Sequence, residues 1–398
     1  MPSESIGALS KQCVTGQDAK KCSVPLVARS WLSTVRDMDI QTLLDGIHEL
    51  SDLELAVLLS LIGQGHCLIS TEDDLVDDLA SELSLIVAER FGLSYAVLNQ
   101  DDLSSQEAFS QAILEEKGTQ FGFDDNEAPG SLRARLASID VRAAPRANER
   151  HDSNLDNRAV KNVIIAKGFN FADQHIQVQA LELIYNKRMF SKTTVHIVPK
   201  TFLFLPIISV SSQHVRLIPH LNDRIFISHY HAAEHGFANL EELDRSAISD
   251  GQTTSSGQRL SWESAQQSRN IPAGVIEKLR TMSEATSYTP ETRRYLQDIV
   301  VFLRLERGVD GGITPRASVD FLALAKSLAP LHGIEFLTPS LIALAARKIY
   351  AHRIVIAEPQ RERSMQYGSD VTGVKELLVG LTSQEIIENV LATVPAPI

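Results

Sequence analysis

A chain of 398 residues, 43% hydrophobic and 22% charged, is long enough for two or three domains and has the composition of a soluble globular protein. Its net charge of -12 argues against a nucleic-acid partner or a surface that tracks anionic lipid. Three cysteines (Cys13, Cys22, Cys67) form no CxxC pair or disulfide framework, the first residues lack a signal-peptide pattern, and no apolar run approaches a membrane span. An intracellular protein, cytoplasmic or nuclear and without membrane insertion, is expected.

Residues 1–45 read as an N-terminal lead followed by a helix from about Ser30. Residues 46–240 read as an α/β domain. Ser51 and Glu54 have capping-box spacing at the start of an apolar helix. A short strand ending at Ile69 follows, then a helix with Leu75, Leu79, Leu83 and Ile86 on one face. Tyr95 to Leu98 is a short buried strand. Residues 115–158 carry few large apolar groups and are expected to form a surface insertion, largely disordered. Strands at 162–166, 195–198, 202–210 and 225–228, with a helix at 173–186, complete a pattern of alternating strands and helices that predicts a parallel sheet. Residues 241–285 are rich in Ser, Gln, Thr and Gly and read as a polar linker. Residues 286–357 form an expected all-helical domain with helices at 289–307, 315–332 and 339–352, the last two starting Thr-Pro, a cap followed by proline at the first helical position. The tail, 358–398, carries one amphipathic helix near 383–392.

The turn after the first strand holds the main anomaly. Helix, strand, turn and helix are the setting of a phosphate-binding loop, where glycines and a Gly-Lys-Ser/Thr end would cradle phosphates. This turn has no glycine and no lysine, Gly-Lys occurs nowhere in the chain, and Glu72 to Asp78 place five carboxylates in seven residues. Glu72, Asp73 and Asp74 are expected in the first helical turn with Ser70 or Thr71 as cap, where each carboxylate stabilises the helix by roughly 0.3–1 kcal/mol. A phosphate about 6 Å from one such carboxylate meets roughly 3 kcal/mol of repulsion at an effective dielectric near 20. The acidic run lacks EF-hand spacing, and Cys67 reads as a core residue.

The helical domain carries the most specific pattern. Gly312-Ile313-Thr314-Pro315-Arg316-Ala317, the Ala/Leu run from Ala323 to Ala329, Leu337-Thr338-Pro339 and His352-Arg353-Ile354 resemble the lid of the MoxR and magnesium-chelatase I-subunit branch of AAA+ ATPases, in matching order and spacing. Asn170, Ala172, Gln177, Leu181 and Glu182 agree with that branch around its Walker B segment, but Lys167 and Gly168 stand where its Asp and Glu would hold magnesium and position water. Leu221-Asn222-Asp223-Arg224-Ile225 is similar to the segment whose arginine faces a neighbouring subunit, and the sensor-1 asparagine has no counterpart among 209–213.

The resemblance implies an AAA+-type parallel sheet sandwiched by helices with a separate all-helical lid. It also implies two functional arginines, Arg224 in trans and Arg316 at the lid sensor-2 position. The alternatives open for them are a local Asp223–Arg224 ion pair and a surface role for Arg316. With the phosphate loop (Ser70, Thr71, Glu72, Asp73, Asp74) and Walker B (Lys167, Gly168) degenerate, the reading is a non-hydrolysing assembly or regulatory subunit. It would work through self-association or an intact AAA+ subunit. No cofactor is expected; ATP and magnesium enter only where the resemblance outweighs the lost motifs, which is the alternative of an active magnesium chelatase-type ATPase. A further alternative is a metallohydrolase using His229, His231 and His235, spaced His-x-His-x3-His after a strand; partly exposed strand-end histidines are the plainer reading, so no metal is expected.

Overall fold

The structure is a computed structural model that describes residues 46–47, 49–116, 158–190, 195–210, 217–241 and 270–397. The expected helix from Ser30 and nearly all of the 115–158 insertion lie outside the described residues. Glu49–Ile398 forms one compact unit.

Its centre is a five-stranded parallel sheet: β1 (Cys67–Thr71), β2 (Tyr95–Leu98), β3 (Val163–Lys167), β4 (Leu203–Ser209) and β5 (Ile227–Tyr230), ordered β2-β3-β4-β1-β5. The helices preceding and following the first strands are α1 (Asp52–Ile62), α2 (Val76–Leu85) and α3 (Gln106–Ala112); α4 (Gln174–Asn186) and the short α5 (Pro219–Asn222) precede β4 and β5 respectively. Val163 to Ala166 and Leu203 to Leu205 are completely buried, as strands covered on both faces require. On one face Leu68, Ile164, Ala166 and Phe204 pack with Phe109, Ile176, Ala180 and Leu183 from α3 and α4. Cys67 and Ile69 point the other way by strand alternation, toward the face covered by α1 and α2.

The capping box of α1 forms as expected: Ser51 Oγ accepts from Glu54 N at 3.2 Å, and Ser51 N donates to Glu54 Oε2 at 2.9 Å. Apolar residues are buried all around α1, from Leu53 to Ile62, so it needs cover on its outer side. That cover comes from α6 (Ala273–Ala285), which lies inside the expected 241–285 linker and buries Ile276 and Leu279. The strand expected near 195–198 also differs: Val195–Ile197 pairs antiparallel with Arg188–Phe190 in a separate hairpin rather than joining the sheet.

The lid comprises α7 (Pro290–Leu305), α8 (Pro315–Leu331) and α9 (Pro339–Tyr350). Each begins with a threonine cap before a proline: Thr289, Thr314 and Thr338 accept from the amides of Thr292, Ala317 and Leu341, each worth about 1 kcal/mol. Helices α8 and α9 pack together, and Phe321, Leu324, Ala325 and Leu328 of the first and Ile342, Ala345 and Ile349 of the second are buried. The tail holds two helices rather than one, α10 (Val371–Leu378) and α11 (Ser383–Thr393); α11 buries Ile386, Ile387 and Val390 against the lid and ties to α9 through Arg347 and Glu388 at 2.6 Å.

A buried cation fastens lid to sheet. The Arg353 side chain is 1% exposed and lies 2.7 Å from Asp320 and 3.8 Å from Asp223, and its Nη2 donates to the carbonyl of Ile225 at 2.5 Å. Around it Thr314 donates to Asp223 at 2.5 Å and Asn222 Nδ2 to the carbonyl of His352 at 2.9 Å. Gly312 makes the close approach possible: its φ is +96°, and a Cβ there would lie 1.8 Å from the Arg353 carbonyl oxygen.

Arg353→Ala removes a buried side chain together with its bonds to half-buried Asp320 and the Ile225 carbonyl, and is expected to destabilise the chain by about 3 kcal/mol in denaturant unfolding. Gly312→Ala is expected to cost about 2 kcal/mol or more; an unchanged midpoint for either would show that the lid is held elsewhere. His66 is buried and His352 half-buried, and both are neutral, desolvation being the first cause that lowers each pKa to about 3. The unfolded chain takes up these protons near pH 6.5, so this stability is complete above that pH and declines as pH falls toward 3. Unfolding at pH 7.5 and 5.5 is expected to differ by about 1 kcal/mol for each of the two, with the acidic sample weaker; equal or higher stability at pH 5.5 contradicts their neutral state.

Candidate functional site

Two ends of the sheet matter, and their chemistry is opposite. At the C-terminal end of β1 there is no loop. Thr71 ends the strand, only Glu72 intervenes, and a 3-10 turn, Asp73–Leu75, runs directly into α2. Ser70 and Thr71 do not cap this turn, contrary to expectation. They are strand residues whose hydroxyls cross to β5 and the residue after it, Ser70 to the carbonyl of His229 at 3.4 Å and Thr71 to that of His231 at 3.0 Å. Glu72 occupies the cap position of the 3-10 turn without a side-chain bond to it, and the acids in the first turn of α2 itself are Asp77 and Asp78. Glu72, Asp73 and Asp74 are exposed.

Lys167 closes β3 beside this turn, and its Nζ lies 2.8 Å from Asp77 Oδ1. The cation is thus on the strand and the carboxylate on the helix, the reverse of a Walker A lysine and a Walker B aspartate. Gly168 follows at φ +58°, ψ 33°, a left-handed conformation that disfavours the glutamate of a Walker B segment. This set does not fit a magnesium nucleotide: the helix end carries carboxylates, and the strand end presents an ammonium where a metal ligand is required.

The N-terminal end is different. A cleft of about 230 Å³ opens there, lined by the segments preceding β1, β4 and β5 and by the lid. Lys187, Lys200, Arg224, Arg280 and Arg316 converge on it, against one carboxylate, Asp320. Asp223 and Arg224 do not pair with each other: Asp223 is held by Thr314 and Arg353, while Arg224 lies over the Tyr185 ring at 4.5 Å. Arg316, in the first turn of α8, is 3.7 Å from Asp320. Arg280 is taken up by Glu277 and by the carbonyls of Leu61 and Ile62 that end α1. Arg224 and Arg316, far apart in sequence, therefore line one cleft because Arg353 draws the lid onto the turn that carries Arg224. Sequence reasoning missed Lys187 and Lys200, which come from a helix end and a pre-strand turn with no motif of their own.

His229 and His231 are buried rather than partly exposed as expected, because strand pairing and packing draw them inside, and each Nε2 lacks a hydrogen-bond partner among the described residues. Desolvation holds both below the ordinary histidine range, His229 at about 3. Their rings are 6.2 Å apart, and His231 is 5.5 Å from His235, whose Nδ1 accepts from the amide of Ala232 at 3.3 Å. Among the described residues no group of three His, Cys, Asp or Glu side chains is placed to hold a metal, and no helix is long and apolar enough to cross a membrane.

Comparison with known proteins agrees with this architecture. Residues 302–373 match the AAA lid domain family, extending the lid into the segment expected as tail. A crystal structure from Cytophaga hutchinsonii, described as a candidate ATPase, aligns over 93% of this chain and 98% of its own, with a TM-score of 0.58 and 15% identity, a likeness of fold. Proteins named maintenance of telomere capping protein 2 are similar over shorter stretches. The Lachancea thermotolerans protein is 33% identical over 109 residues, 26% of this chain and 38% of that protein. The Kluyveromyces lactis protein is 32% identical over 91 residues, 22% of this chain and 33% of that protein. The chain spans little more than a third of the length of these curated relatives. Sheet order, lid match and structural likeness together give it the α/β fold of AAA+ ATPases with a helical lid.

Proposed function

We propose that this chain is a non-hydrolysing assembly or regulatory subunit of the MoxR and magnesium chelatase type. The observation that carries this reading is the ion pair between Lys167 and Asp77, which reverses the charges of a nucleotide site at the junction of strand and helix. Its own energy is small, since the Asp77 side chain is 84% exposed. Its weight lies in chemistry, because neither group serves phosphate or magnesium from the position it holds. The cleft at the other end of the sheet supports action on a second subunit: Arg224 and Arg316 line it, without a nucleotide site of the same chain beside them.

The competing reading, an active magnesium chelatase-type ATPase, requires binding at the β1–α2 turn. Calorimetry with ATP and magnesium is expected to give a dissociation constant weaker than about 100 μM, given roughly 3 kcal/mol of repulsion per carboxylate. Turnover is expected to stay at background. Low-micromolar, magnesium-dependent binding or measurable hydrolysis would establish the active reading instead. A metallohydrolase would require about one zinc per chain, lost on changing His229 and His231. For the yeast relatives the named process is maintenance of telomere capping, and we carry it to this chain as the setting in which its loss is to be tested.

If Arg224 acts on another subunit, Arg224→Ala removes only its contact with Tyr185 from the fold. That is expected to change stability by no more than about 1 kcal/mol while weakening assembly or a partner's ATPase rate. A variant that unfolds, or one that assembles and stimulates normally, would assign Arg224 a structural role alone.

A further inference from the structure

Two lysines and one imidazole in the cleft remain uncommitted once the contacts of its arginines are assigned. Arg280 is bound to Glu277 and to the end of α1, Arg316 leans on Asp320, and Arg224 lies on the Tyr185 ring. Lys187 and Lys200 meet no carboxylate among the described residues, and the Val198 amide donates to the Lys187 carbonyl at 3.1 Å, which brings the backbone before Lys200 against Lys187. His66 lines the same cleft and is only 7% exposed. Its Nδ1 accepts from the Phe204 amide at 3.1 Å, which puts the ring proton on Nε2. That Nε2–H meets no acceptor among the described residues, and desolvation first, then Lys187, keep the ring neutral. Among the described residues, Lys187 (φ +51°) and Gln64 (φ +49°) are the two other than glycine in the left-handed region, and both line this cleft. Glycine is the relaxed residue there, so each side chain is carried at a local backbone cost. The Gln64 amide and the Thr201 hydroxyl also face the cleft without hydrogen-bond partners among the described residues.

We propose that this cleft binds a small sugar phosphate, its phosphate held by Lys187, Lys200 and the Nε2–H of His66, and its hydroxyls by Gln64 and Thr201. The first three groups only donate, so what they share must be an acceptor without a proton to give, and two ammonium groups call for two negative charges. A phosphate monoester dianion meets both conditions. Gln64 and Thr201 can each donate and accept, as a sugar hydroxyl requires of its partner. A cleft of about 230 Å³ suits a ligand this compact. Arg224 and Arg316 add to the positive field but hold other contacts, Tyr185 and Asp320. The site lies within one chain and needs neither a second subunit nor a nucleotide, whatever the state of the β1–α2 turn.

The test is calorimetric titration of the full chain, at about 0.15 M salt, with glucose 6-phosphate, ribose 5-phosphate, inorganic phosphate and glucose. At least one of the two sugar phosphates is expected to bind with a dissociation constant of about 0.5 mM or tighter, at least about 10-fold tighter than inorganic phosphate. Glucose is expected not to bind. Lys187→Ala and Lys200→Ala are each expected to weaken that binding at least about 10-fold, whereas Arg224→Ala and Arg316→Ala change it by no more than about 3-fold. In the wild type, the resonance of the His66 Nε2 proton is expected to shift as the sugar phosphate is added. Circular dichroism establishes that the variants fold; should Lys187→Ala unfold, Lys187→Gly relaxes the left-handed residue and carries the same expectation. Absence of sugar phosphate binding, inorganic phosphate that binds as tightly, or an unmoved His66 proton would overturn the proposal. So would folded lysine variants that bind as the wild type does, or arginine variants that lose more binding than they do. ATP that displaces the sugar phosphate and binds more tightly would also overturn it, giving the cleft to a nucleotide.

Discussion

The buried guanidinium of Arg353 sets how the lid meets the sheet. A charge withdrawn from water is tolerated only where its partners are fixed, and Arg353 takes them from three places: Asp320 on the lid helix α8, Asp223 on the turn before β5, and the backbone of Ile225. Those partners cannot all be met unless α8 and the turn before β5 come together. Gly312 removes the steric obstacle, Thr314 both caps α8 and donates to Asp223, and Asn222 closes the same seam at His352. The placement of Arg224 and Arg316 in one cleft follows from this junction rather than from any contact between the two.

The two ends of the sheet follow different logic. A parallel α/β sheet offers its ligand site at the C-terminal ends of its strands, and this chain has placed carboxylates there, shortened the turn to a 3-10 segment and set a lysine at the end of β3. The N-terminal ends carry the opposite charge. Net charge conceals this arrangement: a chain at -12 still gathers five cations around one cleft. Its global acidity speaks against extended polyanion tracking, while the local field favours a compact anion.

Much of the fold is legible from local rules. The Ser51–Glu54 box, the Thr-Pro starts of the lid helices and the apolar strands each depend on a few neighbouring residues, and each forms where expected. The misses share a physical cause. Helix α6 follows directly on a Ser-, Gln- and Thr-rich stretch that masks its start, and it is required because α1 buries apolar residues on every side. Ser70 and Thr71 have the right chemistry for a cap, but strand pairing extends through them and turns their hydroxyls to β5 and the residue after it. Val195–Ile197 has strand-like residues, yet its partner is the adjacent Arg188–Phe190 rather than the sheet. The cleft was legible only in part: Arg224, Arg316 and Arg353 lie in segments with a recognisable pattern, whereas Lys187 and Lys200 gain meaning from tertiary proximity.

The central claim is that the C-terminal end of β1 is closed to nucleotide by its own charges. An experimentally determined structure obtained in millimolar ATP and magnesium tests it most directly. The account predicts the 3-10 turn at Asp73–Leu75 unchanged, Lys167 in contact with Asp77, and no nucleotide at the start of α2. A nucleotide bound there with its phosphates on the α2 amides, and Lys167 displaced from Asp77, would contradict it.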